Sequence, residues 1–398
     1  MNQPSTLSPR HRRRGPAPRP RLIGLYVVVT FLYWISLYLY IPTLPTYAES
    51  KSESLALVGI ILAQYGLWQA IARLPVGIAS DWLGRRKPFI AAGLFLSGLA
   101  AYVMGTAGGA EGLLVGRAIT GLAAATWVPL TVVFSSLFPI DEAVRATSIL
   151  TVVGSAGQVL ATSITGTLNE WGGYPLAFFL AAGFAGLGIV ALLPARETVR
   201  PRQRPSAGGI GRMLARRDVM LPALLSAVGQ YATWAVPFGF LPILARQLGA
   251  TDVTQSGLVS LHIGVFTLGG LLAATLSNRF GARRMVYAGF AMLAAGSAGA
   301  ALAPALPYVF VAQFFLGLGL GISYPVLMGL SIRNVDDAQR TTAMGLHQAV
   351  YAVGMFAGPW LSGILADAAG LRPMLGITAA GCLALSLILI RLVPRQQR

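Results

Sequence analysis

The sequence predicts an all-α membrane protein built from two six-helix bundles, and three observations support this fold class. The first is composition, because 55% of the residues are hydrophobic and only 11% are charged, whereas soluble domains carry about 25% charged residues. The second is a series of twelve apolar runs, each close to the ~20 residues that cross a bilayer as a helix. The third is an internal repeat, in which the second half of the chain resembles the first.

The apolar runs are numbered here as spans 1 to 12 in chain order. Their predicted ranges are 22–46, 56–80, 88–107, 112–138, 146–168, 175–194, 219–245, 255–277, 286–304, 306–331, 342–366 and 373–392. The predicted organisation is a basic disordered tail (1–21), a first bundle (22–194), a linker (195–218), a second bundle (219–392) and a short tail (393–398). The linker carries seven arginines and divides the spans six and six.

Basic residues predict the orientation in the membrane. If the N-terminus is cytoplasmic, 25 of the 30 Arg and Lys residues fall on that side, and only Lys51, Arg246 and Arg372 fall on the other. This bias follows the positive-inside rule and predicts that both termini are cytoplasmic. Topology explains the net charge of +17, so nucleic acid is not an expected partner. We expect the tails to contact anionic lipid, and the protein to be a monomer of a bacterial inner membrane.

The repeat is visible in three segments. "GIASDWLGRR" at 77–86 aligns with "ATLSNRFGAR" at 274–283 at an offset of 197 residues. "RAITGLAAATWVP" at 117–129 aligns with "QFFLGLGLGISYP" at 313–325 at an offset of 196, and three glycines of spans 5 and 6 recur at 197. Six-helix repeats are typical of secondary transporters that bind their substrate near the membrane midplane.

Two motifs carry a resemblance to a known family. "GIASDWLGRRK" at 77–87 resembles the loop between helices 2 and 3 of the major facilitator superfamily, and "RAITG" at 117–121 resembles its helix 4 motif. The resemblance covers the whole chain and implies a twelve-helix transporter that works by alternating access. This chain differs from the superfamily pattern at Trp82, Asn278 and Gln158. Gln158 replaces the proline of drug/proton antiporters, so that subclass stays open.

The resemblance also implies a conformational latch at the 81–87 loop. Its expected members are Gly77, Asp81, Gly84, Arg85, Arg86, Asp141 and Glu142. The glycines are expected to let spans 2 and 11 approach closely, and Asp81 to face the unpaired N–H groups at the start of span 11. Arg85 is expected to reach Asp141 or Glu142. In the alternative interpretation, these charges only enforce topology.

Spans 1, 4, 7 and 10 line the cavity in members of this superfamily. The corresponding candidates for substrate binding are Tyr33, Trp34, Tyr38, Arg117, Trp127, Gln230, Tyr231, Trp234, Gln313 and Tyr324. Aromatic rings with a few amides suit a small amphipathic or aromatic solute. The alternative is that part of this set faces lipid or the membrane interface.

The candidates for coupling are Arg117, His262 and His347. All thirteen acidic residues lie at span ends or in loops, so the sequence offers no carboxylate at mid-membrane depth for a proton relay. Arg117 either binds an anion, takes part in coupling, or anchors the structure. For Arg73 we expect snorkelling or a latch contact, and Tyr351, one turn after His347, could satisfy that histidine.

The leading hypothesis is a secondary transporter of a small organic solute, either an amphipathic compound or a metabolite, with protons as a possible coupling ion. The alternatives are a facilitator or exchanger of an anionic metabolite, and a non-transporting sensor or scramblase on the same fold. An enzyme is not predicted, because no metalloprotease, hydrolase or phosphate-binding motif is present. No cofactor or metal site is predicted either, and Cys382 is the only cysteine.

Overall fold

The computed structural model describes residues 20–139, 142–197, 211, 213–336 and 340–392. Helices dominate this part of the chain, which contains no strand. The predicted N-terminal tail up to residue 19, most of the linker, and residues 393–398 lie outside the described residues. The first helix begins at Pro20, two residues before the predicted start of span 1.

The first six spans, here called the N half, occupy residues 20–192. Their helices are Pro20–Tyr38 with a short helix at Leu44–Ser50 (span 1), Leu55–Leu83 (span 2), Lys87–Gly105 (span 3), Ala110–Ala125 and Trp127–Ser135 (span 4), and Ala143–Leu192 (spans 5 and 6). The last of these helices is long enough to cross a membrane twice. Its backbone leaves the helical conformation at Gly172 and Gly173, where the chain reverses.

The last six spans, here called the C half, repeat this arrangement. Their helices are Arg217–Ala235, a π-helical segment Val236–Phe240 and Leu241–Gln247 (span 7), Asp252–Phe280 (span 8), Ala282–Leu302 (span 9), Leu306–Ile332 (span 10), Arg340–Ala369 (span 11) and Leu371–Leu392 (span 12). Eleven helices of the described part are long and apolar enough to cross a membrane. Division at Gly172–Gly173 gives twelve spans, and the predicted fold class is confirmed.

Two contacts show that spans 5 and 6 end on opposite faces of the bundle. Lys87 Nζ donates to the main-chain carbonyl of Leu193, which places the end of span 6 beside the 81–87 loop. The Asn169 amide donates to Asp252 at the start of span 8, so span 5 ends on the other side. We call the side with the 81–87 loop the linker face and the opposite side the far face.

The repeat extends to the turns that begin and end the helices. Ser54 and Thr251, 197 residues apart, both accept a hydrogen bond from the main-chain N–H three residues later and so cap spans 2 and 8. Such caps contribute about 1 kcal/mol each. Gly84 and Gly281 end the same two spans with positive φ angles of 67° and 85°. Glycine adopts this conformation without the steric cost that other residues incur.

Glycines also set the distance between the two halves. A Cβ added to Gly59 would lie 2.4 Å from the carbonyl oxygen of Pro359, and one on Gly66 would lie 2.3 Å from the main-chain nitrogen of Phe356. Spans 2 and 11 therefore touch backbone to backbone, as membrane helices do at small residues. On the other side of the bundle, Gly166 of span 5 contacts span 8 just as closely.

Gly59 and Gly66 make the close approach of spans 2 and 11 in this structure, whereas Gly77 and Gly84 were the predicted glycines. A Cβ on Gly77 would meet only Val128 Cγ1 of span 4, at 3.8 Å. Gly84 serves as the helix terminator described above. Gly77 does not make that approach in this structure, because the motif lies at the linker end of span 2 and the backbone contacts lie nearer the far face. The predicted role of Gly77 and Gly84 in the latch stays a prediction.

The outer surface of the bundle is apolar. Large hydrophobic side chains such as Leu187, Leu268 and Ile388 are more than half exposed, which suits contact with lipid tails. A single large cluster of buried hydrophobic residues includes members of both halves. The polar and aromatic groups that concern function lie inside, where the halves meet.

Candidate functional site

An aromatic cluster of the N half is formed by side chains of spans 1 and 4. The Trp34 ring contacts Tyr33, Tyr38 and Trp127 at centroid distances of 5.6, 5.4 and 5.0 Å. Tyr33 stacks on Trp127 at 6.3 Å and donates a hydrogen bond from its hydroxyl to the Ala123 carbonyl. All four were predicted from the sequence, and the structure brings them together.

Aromatic residues of the C half face this region from across the interface between the halves. Trp234 contacts Tyr65 of span 2 with ring centroids 4.7 Å apart, and Phe238 contacts Tyr38 at 6.3 Å. Trp234 and Phe238 also pack on each other at 5.0 Å. Phe238 belongs to the π-helical segment of span 7, a distortion often found at functional sites. These four rings join the two halves inside the bundle.

Arg117 lies beside these cross-half rings. Its guanidinium carbon is 4.7 Å from the centroid of the Tyr65 ring, a cation–π distance. The residue is only 1% exposed, and its Nε and Nη1 atoms have no hydrogen-bond partner among the described residues. The prediction that Arg117 faces the interior is consistent with this position. Its role in binding or coupling stays a prediction.

A second buried arginine links the halves directly. Arg73 Nη1 donates a 2.6 Å hydrogen bond to the hydroxyl of Tyr351 in span 11, and Arg73 is 5% exposed. Snorkelling is therefore excluded for Arg73, because its charge points into the protein. Tyr351 was expected to satisfy His347, but the bonded partner of His347 Nδ1 is the Ser331 hydroxyl at 2.6 Å. The Tyr351 ring lies 5.3 Å from the guanidinium carbon of Arg73 in the N half and 6.1 Å from the ring of His347.

The other predicted histidine is part of the repeat. His262 is 2% exposed, and its ring contacts Phe238 edge to face at 5.2 Å. It lies 197 residues after Tyr65, and Gln313 lies 196 residues after Arg117. His262 and Gln313 in the C half therefore occupy the places that Tyr65 and Arg117 occupy in the N half. Coupling through His262 or His347 stays a prediction.

The remaining predicted residues of the C half divide into two groups. Tyr324 is half-buried and contacts the Tyr351 ring at 5.8 Å, so it belongs to the interior site. Gln313 donates to the Leu258 carbonyl, and Tyr231 pairs with the Ser362 hydroxyl at 3.3 Å. These two side chains therefore form hydrogen bonds within the C half, between spans 10 and 8 and between spans 7 and 11. Gln230 is half-buried in span 7.

Sequence reasoning missed Tyr65, Phe238 and the cross-half role of Tyr351. Tyr65 had a detectable signal, because Tyr65, Gln69 and Arg73 follow each other at intervals of four residues in an apolar span. This spacing places polar groups on one helix face, and Gln69 is 2% exposed. Phe238 offered no such signal, since one phenylalanine among many apolar residues does not indicate its contacts.

The far face is closed by polar contacts between the halves. Asn169 donates to Asp252 Oδ2 at 2.9 Å, and the Gly166 N–H donates to the Ser256 hydroxyl at 2.7 Å. Thr46 donates to the Gln255 side chain at 3.0 Å. We call the set Thr46, Gly166, Asn169, Asp252, Gln255 and Ser256 the far-face clasp.

Two further contacts lie on the same face. The Leu55 N–H at the start of span 2 donates to the carboxylate of Asp367 at the end of span 11, at 3.0 Å. Arg246 of span 7 donates to the hydroxyl of Tyr174 in span 6 at 2.9 Å. Partial burial raises the pKa of the nearby Glu49 carboxyl above its usual value, and the charge of Arg246 opposes this shift.

The 81–87 loop makes other contacts than those predicted. Asp81 pairs with the Arg86 side chain of its own loop, rather than with the start of span 11. Arg85 is exposed, and Glu142 pairs with Arg145 at 2.9 Å. Asp141 lies outside the described residues. The turn at Gly84 explains the difference, because it folds Arg86 back onto the last turn of span 2.

The loop is tied to the segment that follows span 6. The Glu197 carboxylate accepts the main-chain N–H groups of Arg86 and Lys87, the latter at 2.9 Å, at the start of span 3. Lys87 Nζ donates to the carbonyls of Leu193 and Ala195. An anion at a helix N-terminus is favourable, so Glu197 fixes this loop to its own half.

We expect Glu197→Gln to lower the free energy of unfolding by about 1–2 kcal/mol, because hydrogen bonds to a charged group are stronger than those to a neutral one. Thermal unfolding of the purified protein in detergent measures this change. Glu142→Gln is the matched control, since the partner of Glu142 among the described residues is the exposed Arg145 and such pairs contribute at most about 0.5 kcal/mol. Equal melting temperatures for the two variants would contradict the role of Glu197.

Charged pairs are confined to the ends of the spans. The four ion pairs found among the described residues are Arg86–Asp81, Arg145–Glu142, Arg216–Asp218 and Arg246–Asp252. Within the same residues, no group of three or more His, Cys, Asp and Glu side chains is placed to hold a metal ion. The interior site therefore consists of aromatic rings, two cations and neutral polar groups.

Comparison with known proteins identifies the family. The family model of the Major Facilitator Superfamily matches residues 26–233 and again residues 223–398. The MFS-type transporter YceJ of Bacillus subtilis, which is uncharacterised, is 27% identical over 363 residues, covering 86% of this chain and 88% of YceJ. The quinolone resistance protein NorA of Staphylococcus aureus is 22% identical over 387 residues, covering 92% and 95% of the two chains.

The fold agrees with solved transporter structures. A bacterial homologue of the human lysosomal transporter Spinster, in an inward-facing and unoccupied conformation, superposes with a TM-score of 0.77. It is 16% identical and covers 95% of this chain and 98% of its own. The double match of the family model corresponds to the two six-span halves described above. The chain belongs to the Major Facilitator Superfamily and is a membrane transporter of that superfamily.

Proposed function

We propose that this protein is a secondary transporter that exports small amphipathic organic solutes by alternating access. One observation carries the proposal: aromatic side chains of both halves meet inside the bundle, at Tyr65–Trp234 and Tyr38–Phe238, next to the buried Arg117. A solute that binds among these rings touches both halves at once. Its binding energy can then depend on how the halves are arranged, as a coupled conformational change requires.

Contacts at the far face support one end state of such a cycle. The far-face clasp and the glycine contacts at Gly59, Gly66 and Gly166 hold the halves together on that side. In the other end state these contacts separate and the linker ends of the halves come together. The predicted role of Asp81 at the start of span 11 belongs to that second state and stays a prediction.

The direction of transport and the orientation in the membrane are inferred from a relative and from the charge distribution. Export is suggested by the similarity to NorA, whose name describes quinolone resistance. The excess of Arg and Lys on the linker side favours a cytoplasmic linker face in a bacterial plasma membrane. A solute would then enter the site from the cytoplasm and leave through the far face.

We expect Trp234→Ala to lower transport at least tenfold, because it removes the C-half ring that contacts Tyr65 at 4.7 Å. Loss of a buried aromatic contact costs about 3–5 kcal/mol in a core, and part of that loss falls on bound solute. The assay is the accumulation of fluorescent amphipathic dyes in efflux-deficient bacteria that express the protein, followed by transport in proteoliposomes.

Trp171→Ala is the matched control, since Trp171 is 78% exposed on the outside of the bundle. We expect this variant to transport like the parent protein. If wild-type protein lowers the accumulation of none of the dyes and moves none of them in proteoliposomes, the proposed export function is wrong. If Trp234→Ala transports as well as Trp171→Ala, the interior rings are not the binding site.

A further inference from the structure

The charge of Arg117 has an unusual environment. The residue is 1% exposed, its guanidinium faces the ring of Tyr65 at 4.7 Å, and it interacts with the phenol groups of Tyr38 and Tyr40, the latter through a side-chain hydrogen bond. The aromatic ring interacts with the charge but offers no acceptor to the N–H groups. Nε and Nη1 accordingly have no hydrogen-bond partner among the described residues. A buried cation with unpaired donors is energetically costly and calls for an anion.

The described part of the chain does not supply that anion. Its four ion pairs all lie at span ends, and none involves Arg117. The second buried arginine has fewer unpaired donors, because Arg73 Nη1 donates to the hydroxyl of Tyr351 at 2.6 Å and, among the described residues, only its Nε has no partner. Nε and Nη1 of Arg117 are thus two unpaired donors of a buried cation, and they are free to receive a ligand.

The surroundings of Arg117 define the rest of the ligand. Trp234 contacts the same Tyr65 ring at 4.7 Å, and Phe238 and Tyr38 continue this aromatic surface. Flat aromatic rings pack well on such a surface. A guanidinium binds a carboxylate through two parallel N–H···O bonds, which adds both strength and orientation.

We propose that the substrate is an aromatic organic anion whose acidic group pairs with Arg117 and whose ring packs among Tyr65, Trp234 and Phe238. This inference rests on the proposed transport function and specifies the substrate class of the same site. One acidic group on the substrate is enough to pair with the unpaired Nε and Nη1 donors of Arg117. Trp234 and Phe238 belong to the C half and Arg117 to the N half, so the bound anion links the two halves.

The test compares acids with amides of the same shape. Purified protein in lipid nanodiscs is titrated with 2-naphthoate and 2-naphthamide, indole-3-acetate and indole-3-acetamide, and phenylacetate and phenylacetamide, and binding is followed by thermal shift and equilibrium dialysis. We expect the acid to bind at least tenfold more tightly than its amide in one or more pairs. Equal affinities in every pair, or a preference for the amides, would overturn the proposal.

Variants assign the preference to Arg117. Arg117→Gln should remove the preference for the acid, and Arg117→Lys, which keeps the charge but not the paired N–H geometry, should retain it at reduced affinity. If the glutamine variant does not fold, the lysine variant and the wild-type acid–amide comparison decide. The matched control is Arg283→Gln, since Arg283 also lies over a tyrosine ring, Tyr287 at 5.8 Å, but in span 9. It should bind like the parent protein.

The outcome separates this inference from the proposed function. Transport of dyes without any preference for acids would leave the transporter proposal standing and overturn the anion site. Tight binding of acids that are never transported in proteoliposomes would support the anion site and overturn export. A preference for the acids that survives in Arg117→Gln would show that another group binds the anion, and would contradict the assignment to Arg117.

Discussion

Gly66→Ala is expected to reduce transport at least tenfold, although the change adds a single methyl group. The new Cβ would lie 2.3 Å from the main-chain nitrogen of Phe356 and 2.4 Å from the carbonyl carbon of Met355. These are backbone atoms of span 11, which cannot move aside as a flexible side chain can. Overpacking of this kind costs about 1–3 kcal/mol, and each 1.4 kcal/mol changes an equilibrium about tenfold. The far-face closed state should therefore lose most of its population.

The measurement uses a probe cysteine on the far-face side of span 2. Val58→Cys in a Cys382→Ser background places a thiol at a position that is 0% exposed in this structure, so a membrane-impermeant maleimide should label it slowly. Adding Gly66→Ala should increase the labelling rate at least fivefold. Transport of the same protein, measured in proteoliposomes, should fall in parallel.

Gly77→Ala provides the matched control within the same span. Its Cβ would meet only Val128 Cγ1 at an ordinary 3.8 Å, and alanine is favoured over glycine inside a helix by about 0.5–1 kcal/mol. We expect normal transport and unchanged labelling, even though Gly77 belongs to the 77–87 motif. If Gly66→Ala labels and transports like Gly77→Ala, the contact between spans 2 and 11 does not control closure of the far face.

Asp252→Ala is expected to open the far face by removing the charged centre of the far-face clasp. The Asp252 carboxylate accepts hydrogen bonds from Asn169 at 2.9 Å, Arg246 at 3.3 Å and Gln255 at 3.4 Å. It also lies in the first turn of span 8, where a negative charge is favourable. Loss of hydrogen bonds to a charged, largely buried group costs about 1.5–3 kcal/mol. The closed state should be depopulated about tenfold or more.

The same Val58→Cys probe reports this change, and Asp367→Asn is the comparison. Asp367 also joins the halves on the far face, but it is exposed and accepts one N–H group, from Leu55. Its loss should cost at most about 1 kcal/mol. We expect labelling to rise clearly in Asp252→Ala and only slightly in Asp367→Asn. An equal response of the two variants would show that burial of Asp252 does not strengthen the clasp.

The motif at 81–87 did not predict the contact partners that this loop has in the structure. The sequence predicted that Asp81 faces the start of span 11 and that Arg85 reaches Asp141 or Glu142, and the structure shows other contacts in this loop. In the structure, Asp81 pairs with Arg86, and the Glu197 carboxylate accepts hydrogen bonds from the main-chain N–H groups of Arg86 and Lys87. Glu197 follows span 6, more than 100 residues later. A motif specifies residue types and spacing, whereas the partner depends on which chain end packs beside it.

The sequence alone determined the number of spans, their order and the two-fold repeat. It could do so because the length of an apolar run, the glycine at a helix end and the distribution of Arg and Lys act locally. Only the tertiary structure decided that Tyr65 contacts Trp234, and that Arg73 bonds Tyr351, 278 residues away. Such pairs depend on how each helix is rotated and how closely the glycine contacts bring the halves together, and neither is encoded in any one span.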